Sequence, residues 1–377
     1  MKVIYVTTSI TSFDFEEAIK EVNFKSNPSN QNFHHALIRA FASFYDVSVL
    51  SSANALNDIN KTTEIEDYIP YSYLPYDRHS LLKYFYIKKA LKNKLIEEYN
   101  TSNDFILVVD AMNVTLCDAC LEFKKKHKVK IIGVITDNPN FISNAKKTYI
   151  KKVLQNAHKF DAYICLSESL NTLTNIKRKP FIIIDGIFEK KDSMKVSSKE
   201  PYMFFGGALY EKYGVKTLID AFLEADTNYK LIIAGNGPMQ EYVAKKAIRN
   251  YRNITYLGTL SQKELQSYQN LAVANINPRP FDKEMDKYCI PSKVFEYAAS
   301  NAITISTYHS RLNKIFGSSI IWIDDNKTSM TNAIEKVAKM SKEEKSKKIS
   351  RAHNIIKKNY TISEIGKKID SLIKNIA

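Results

Sequence analysis

"FFGGALYEKYGVKTLIDAF", residues 204–222, begins as a short apolar run and breaks at a Gly-Gly pair. From Val215 to Phe222 apolar residues recur at helical spacing. The stretch reads as a strand, a tight turn and a helix, the unit from which doubly wound α/β domains are built. Glycine at such a turn lets backbone N–H groups approach an anion, and the helix dipole favours negative charge there. Gly206, Gly207 and Lys212 are thus candidates to meet phosphate oxygens. The plainer alternative is an ordinary strand–turn–helix with a solvated lysine.

Downstream the alternation repeats. Strands are expected near 202–206, 229–234, 253–257, 273–277, 302–306 and 320–323. Helices are expected near 213–225, 238–248, 261–270, 291–300 and 309–316, and helical sequence continues to the end. Six of the ten glycines fall at 206, 207, 214, 235, 237 and 258, each just after an expected strand or at a helix start. In "LIIAGNGPMQEY" (231–242) a buried strand ends in Gly-Asn-Gly, and Pro238 suits the first turn of a helix. Gly235 and Asn236 there either face an anion or serve the packing of a tight turn.

"INPRPFDKEMDKYCIPSKVFEYAASNAITIS", 276–306, carries the densest set of candidates. A charged, proline-containing loop leads to a helix opened by Pro291. The Ser292 and Lys293 amides lie in its first turn, free to meet an anion, and Lys293 adds a positive charge. Arg279 is either an anion ligand or half of a structural salt bridge. Glu296 follows one turn later among core-type neighbours. A carboxylate there must reach water or be specifically bound, because burying it unpaired is costly.

Upstream, "IFEKKDSMKVSSKEP" (187–201) is polar and reads as a linker. Before it, apolar runs at 2–7, 46–50, 104–110, 130–136, 162–166 and 181–184 alternate with helical stretches near 31–44, 81–99, 113–127, 143–158 and 168–177. Strands this uniformly apolar predict a parallel sheet covered on both faces. The first strand is followed by a long loop, about 8–30, with no glycine, so the G-x-G-x-x-G fingerprint of a dinucleotide site is absent. The anion site is therefore expected in the second domain, and the other substrate in the first. The expected boundaries are 1–187, a linker at 188–200, 201–358, and a last helix at 359–377 packing back on the first domain. Two such domains predict a ligand cleft between the carboxyl ends of both sheets.

Asp137, in "VITDNP", ends an apolar strand of the first domain. It is expected either to contact the acceptor or donor sugar or to cap the next helix. Asn30, His34 and His35 begin the first helix and are candidates for the acceptor side, although adjacent histidines face different directions.

The bulk numbers fit this reading. The chain has 377 residues, 44% hydrophobic and 25% charged, as a globular protein of two domains does. Its net charge of +15 is uneven: +4 over 1–188 and +11 over 189–377, with +8 in 301–377 alone. A Lys-rich helical end is either a solvated face or a surface attracted to anionic lipid or phosphorylated ligands. Zinc-finger spacing and RNA-binding aromatic signatures are missing, so nucleic acid is not an expected partner. Four cysteines make no disulfide framework, and the single C-x-x-C, Cys117 and Cys120, is expected to pack rather than bind metal. Neither a signal peptide nor a membrane-spanning run is apparent.

"EKYGVKTLIDAF", "AGNGP" and "PSKVFEYAAS" together resemble the second domain of the family 4 glycosyltransferases of GT-B fold. Within that family the "NPR" and "KYCIPSKVFEY" segments, with "NPSNQNF" (27–33), "GVITDNP" (133–139) and "IIIDGIF" (182–188), are similar to a subgroup of bacterial capsule and exopolysaccharide transferases. The resemblance implies two Rossmann-like doubly wound domains facing each other across a cleft. It implies transfer of a sugar, with retention, from a nucleotide-sugar to a saccharide acceptor, plausibly lipid-linked, without cofactor or metal. A UDP-sugar is favoured over a GDP-sugar. By position Glu296 matches the ribose-binding glutamate, and Gly207, Lys212 and Lys293 the diphosphate region. The loop 288–292, including Tyr288, Pro291 and Ser292, would lie against the transferred sugar. Asp137, Lys212 and Lys293 are the catalytic candidates. A location at the inner face of the cell membrane, in peripheral contact with anionic lipid, follows from the same resemblance.

The chain departs from the family at three places. Tyr288 stands where many members have a second glutamate, Ala208 stands where many have arginine, and "SNAITIS" replaces a glycine-x-proline turn. Two rivals therefore stay open: a GT-B sugar-nucleotide epimerase, and a catalytically weak GT-B subunit that binds a partner or glycan.

Overall fold

The computed structural model describes residues 1–19, 28–52, 63–75, 82–190, 196 and 200–376. Most of the expected 188–200 linker, and Asn27 of "NPSNQNF", lie outside them. The chain divides into two compact units. The first comprises Met1–Ile187, Lys287–Cys289 and Ile362–Ala377, and the second Phe188–Asp286 and Ile290–Thr361.

In the first unit, β1 (Lys2–Thr7), α1 (Ser12–Ile19), α2 (Pro28–Ala42), β2 (Asp46–Ser51), β3 (Thr63–Glu66) and β4 (Ile69–Tyr73) come first. They are followed by α3 (Lys83–Thr101), β5 (Phe105–Asp110), α4 (Val114–Lys124), β6 (Lys130–Ile135), α5 (Lys147–Ala157), β7 (Ala162–Cys165), α6 (Glu168–Thr174) and β8 (Phe181–Ile183). The sheet order is β3-β4-β2-β1-β5-β6-β7-β8. All pairs are parallel except β3–β4. Side chains of a strand alternate between faces. Val3 and Tyr5 join one core with Leu37 and Phe41 of α2. Ile4 and Val6 join another with Leu91 of α3 and Leu116 of α4. Two buried faces are what make these strands read as continuous apolar runs.

Three elements, a helix and the two strands of a hairpin, were not expected. The loop assigned to 8–30 contains α1, whose first turn is tied down by a buried Thr11–Asp14 hydrogen bond of 2.8 Å. The hairpin β3–β4 turns on Asp67 and Tyr68, both at positive φ (49° and 67°). Such two-residue turns are usually announced by Asn-Gly or Asp-Gly, and Asp-Tyr gives no such signal.

In the second unit, β9 (Tyr202–Gly206), α7 (Val215–Glu224), β10 (Lys230–Ala234), α8 (Gln240–Arg249), β11 (Ile254–Tyr256) and α9 (Gln262–Leu271) are followed by β12 (Ala274–Asn277) and α10 (Lys293–Ala298). Then come β13 (Ile303–Thr307), α11 (Ser310–Phe316), β14 (Ile321–Ile323), α12 (Lys327–Lys339) and α13 (Lys342–Asn359). The sheet, β11-β10-β9-β12-β13-β14, is parallel throughout. Pro238 lies in the turn before α8 rather than in its first turn. The expected helix over 291–300 is six residues long. Its start is tight, with the Val294 amide donating to the Pro291 carbonyl (3.1 Å) and the Phe295 amide to that of Ser292 (3.0 Å). The last helix, α14 (Ile362–Lys374), belongs to the first unit. Its Ile365, Ile369, Leu372 and Ile373 are buried in the core shared with α2.

Candidate functional site

In the second unit, β9 delivers the Gly-Gly turn to the carboxyl edge of the sheet. The amides there are already engaged. The Gly206 N–H donates to the Tyr297 hydroxyl at 3.2 Å, and Gly207 N–H to the Ala234 carbonyl at 2.9 Å. Gly235 N–H donates to the Gly258 carbonyl at 2.7 Å. The expectation that these glycine amides cradle phosphate is therefore corrected, because each is spent on the chain itself.

The glycines instead permit close approach. A Cβ on Gly207 would run into the side chain of Lys293, 2.5 Å from its Nζ. A Cβ on Gly235, at φ +133°, would fall on the Gly207 carbonyl oxygen. The Asn236 carbonyl accepts from Leu209 N–H at 2.7 Å. The two turns thus pack backbone to backbone, and the Lys293 side chain lies across Gly207. Burial lowers the pKa of Lys293, and the nearby Glu296 carboxylate opposes that shift.

Glu296 has a specific partner. It is half-buried and accepts from Gln269 Nε2 at 3.3 Å. Gln269, on α9, is almost fully enclosed, and its own carbonyl accepts from Asn275 Nδ2 at 3.1 Å. Asn275 donates also to Ser300 Oγ at 2.8 Å. This polar ladder beneath α10 fixes the carboxylate. Gln269 was missed by sequence reasoning, and a glutamine flanked by Leu265, Tyr268 and Ala272 was the available signal.

Pro291 and Ser292 adjoin Lys293 at the start of α10. Lys212 is exposed, with Nζ 5.5 Å over the Tyr213 ring. It precedes Gly214, where a Cβ would strike the Pro278 carbonyl, so the Lys212 and Arg279 segments abut. Arg279 takes up the salt-bridge alternative, 3.8 Å from the Asp286 carboxylate, which His309 Nε2 approaches at 4.0 Å. Tyr288 is not part of the second unit. It belongs to the first unit, with its ring 5.5 Å from that of Phe141.

In the first unit, Asp137 follows β6 at the carboxyl edge of the sheet. Desolvation and then the negative Asp110 raise its pKa to about 6, with the Thr136 hydroxyl pulling the other way. Water still reaches the side chain, which screens the consequence for stability. The capping role falls to its neighbour Asn138, whose side chain accepts from Asn140 N–H at 3.1 Å. A carboxylate that holds its proton more tightly folded than unfolded lowers stability as pH rises through about 4 to 6. Asp137→Asn is expected to remove that slope, worth less than about 1 kcal/mol at an exposed site. Melting temperatures of both proteins from pH 4 to 7 check it.

Asp110, the buried end of β5, was not singled out, although "FILVVD" ends as "VITD" does. Its Oδ1 accepts from Met112 N–H at 3.0 Å, and its Oδ2 lies 3.6 Å from His34 Nε2. His34 Nδ1 is 2.7 Å from the Tyr5 hydroxyl. Burial lowers the pKa of His34, with Asp110 opposing. His34 is completely enclosed, so direct contact with an acceptor is not open to it, and it supports Asp110 from beneath. His35 faces the other way, 2.8 Å from Glu66, and Asn30 is half-buried in the first turn of α2. Cys117 and Cys120 are buried free thiols, whose pKa values burial pushes up. Among the described residues no group of three His, Cys, Asp or Glu side chains is placed to hold a metal.

Residues 187–361 match the family model described as glycosyl transferases group 1. That match takes in the whole second unit and just under half of the chain. No curated protein matches the chain in sequence. Among solved structures, the sucrose-phosphate synthase of Thermosynechococcus elongatus aligns over 99% of this chain and 98% of its own, with TM-score 0.73 and 11% identity. A trehalose-6-phosphate protein from E. coli bound with UDP-2-fluoro glucose aligns over 100% of both chains, with TM-score 0.67 and 12% identity. A lipopolysaccharide outer core galactosyltransferase aligns over 99% of both, with TM-score 0.61 and 12% identity. At such identities the likeness is one of fold, and the fold is GT-B. The group 1 domain and this fold together indicate a glycosyltransferase.

Proposed function

We propose that this group 1 glycosyltransferase moves a sugar, with retention, from a UDP-sugar to a saccharide acceptor carried on a lipid, in the building of a bacterial surface polysaccharide. The observation that carries the donor half is α10. It sets the Lys293 cation across the glycine turn and, one turn on, a carboxylate held by Gln269. A cation neutralises the diphosphate as it leaves, and a carboxylate accepts two hydrogen bonds from a ribose diol. UDP is favoured because a protein of this fold is bound with UDP-2-fluoro glucose. Retention is favoured because the trehalose-6-phosphate synthase of similar structure is described for glycosyltransfer with retention. The surface-polysaccharide setting rests on the capsule-type motifs and on the fold shared with a lipopolysaccharide galactosyltransferase. In the first unit, Asp110 and Asp137 are the carboxylates available to hold acceptor hydroxyls.

Thermal-shift titration with UDP, GDP, CMP and dTDP, followed by nucleotide release from the matching sugars, tests the reading. UDP is expected to bind, and Glu296→Ala to weaken it about 10–100-fold with the fold intact. If that variant binds UDP and GDP as the parent does, the role given to Glu296 is wrong. Conversion of a nucleotide-sugar with no acceptor present would favour the epimerase instead.

A further inference from the structure

Helix α3 is apolar on two opposite sides. Ile87, Leu91 and Leu95 are buried against the sheet, one turn apart. At 100° per residue, Leu82, Phe85, Tyr86 and Ile96 fall on the far side of the helix. These side chains are 58%, 61%, 51% and 43% exposed. A helix on a sheet normally turns charged and polar residues outward. Here the outward stripe is mostly aromatic and aliphatic, with Lys89 and Asn93 set within it, Lys88 and Lys92 along one side and Lys83 and Lys94 along the other. Between 83 and 96 there are five lysines and no acidic residue, and Glu97, one step beyond, pairs with Lys94 at 2.7 Å. Lys88 and Lys92 share one carboxylate, Glu122, which leaves that trio positive. Lys83 Nζ lies 5.4 Å over the Tyr84 ring.

We infer that the outer face of α3 docks on an anionic lipid bilayer. Phe, Tyr and Leu side chains enter the headgroup boundary, while lysines on either side reach up to lipid phosphates with their alkyl stems along the apolar zone. Charge selects this occupant, because a face that stays net positive after its Glu122 and Glu97 pairs is drawn to an anionic leaflet and repels a second copy of itself. The topology gives the docking a purpose. β4 runs parallel to β2, and so on across to β6, so the chain leaves β4 at the edge where Asp110 and Asp137 stand. The start of α3 is therefore at the edge assigned to the acceptor. The inference deepens the proposed reading by naming the surface from which a lipid-carried acceptor is taken, and it rests on that reading for its purpose alone.

The test is co-sedimentation of the whole protein, without donor or acceptor, with phosphatidylcholine vesicles containing roughly a third phosphatidylglycerol. Binding is expected, weaker on pure phosphatidylcholine and weaker again in high salt. Phe85→Ser with Tyr86→Ser is expected to reduce it about tenfold or more at unchanged melting temperature. Lys89→Glu is expected to reduce binding to the anionic vesicles and not to neutral ones. Vesicle binding that ignores all three substitutions overturns the inference. So does a failure to bind vesicles, including one accompanied by self-association that Phe85→Ser abolishes. UDP binding is measured in parallel on the same variants. Its loss in the parent would speak against the donor reading, and its retention in a protein that ignores vesicles would speak against the docking face alone.

Discussion

Lys293→Ala is expected to slow sugar transfer about 10²–10³-fold, the size of effect seen when one preorganised charge partner is removed from a developing anion. The structure gives the reason. The Gly206, Gly207 and Gly235 amides are occupied by the chain itself, so the positive charge offered at this turn comes from the lysine. Lys293 is held in place by the absence of a side chain at Gly207 and by Glu296 one turn on. The loss should fall mainly on kcat, because the leaving diphosphate carries more charge in the transition state than in the bound donor. Any change in stability is measured separately, since the Lys293 side chain packs across Gly207. Nucleotide release against donor concentration, with a melting curve as control, measures both. An unchanged kcat would remove Lys293 from the chemistry.

Gly235→Ala is expected to act on the fold. Its φ of +133° is a conformation that L side chains rarely adopt, and the new methyl would meet the Gly207 carbonyl. Strain and displacement together are expected to destabilise the second unit by roughly 2–4 kcal/mol. The displaced Gly207 turn would also carry Lys293 out of position, so UDP binding should fall even where the domain remains folded. Urea unfolding and UDP titration of the same variant separate the two effects. A variant as stable as the parent would mean that the turns do not pack as described.

These two residues show how far the sequence could be read. The second unit was legible strand by strand, because each buried parallel strand writes an apolar run and each helix a periodic one. The glycines were correctly placed at strand ends, but their work was not. Sequence shows where a chain can bend freely, and only the fold shows that Gly207 makes room for a lysine and Gly235 for a carbonyl. Gln269 and Asp110 escaped for a related reason. Each is one polar residue in an apolar context, and its partner lies 27 residues away for Gln269 and 76 for Asp110. The β3–β4 hairpin escaped because Asp67 and Tyr68 take positive φ without the glycine that announces such a turn. His34 was a candidate for the acceptor side, whereas its place beneath Asp110 is set by Tyr5 on β1, a pairing that helical spacing alone does not reveal.

The return of α14 to the first unit has a consequence for biosynthesis. The core around Leu37 and Phe41 is closed by Ile365, Ile369, Leu372 and Ile373. A nascent chain therefore exposes that apolar groove while the whole second unit emerges and folds. The domain made first is the last to be finished, and during that interval it is the half that depends on chaperones and is open to proteases.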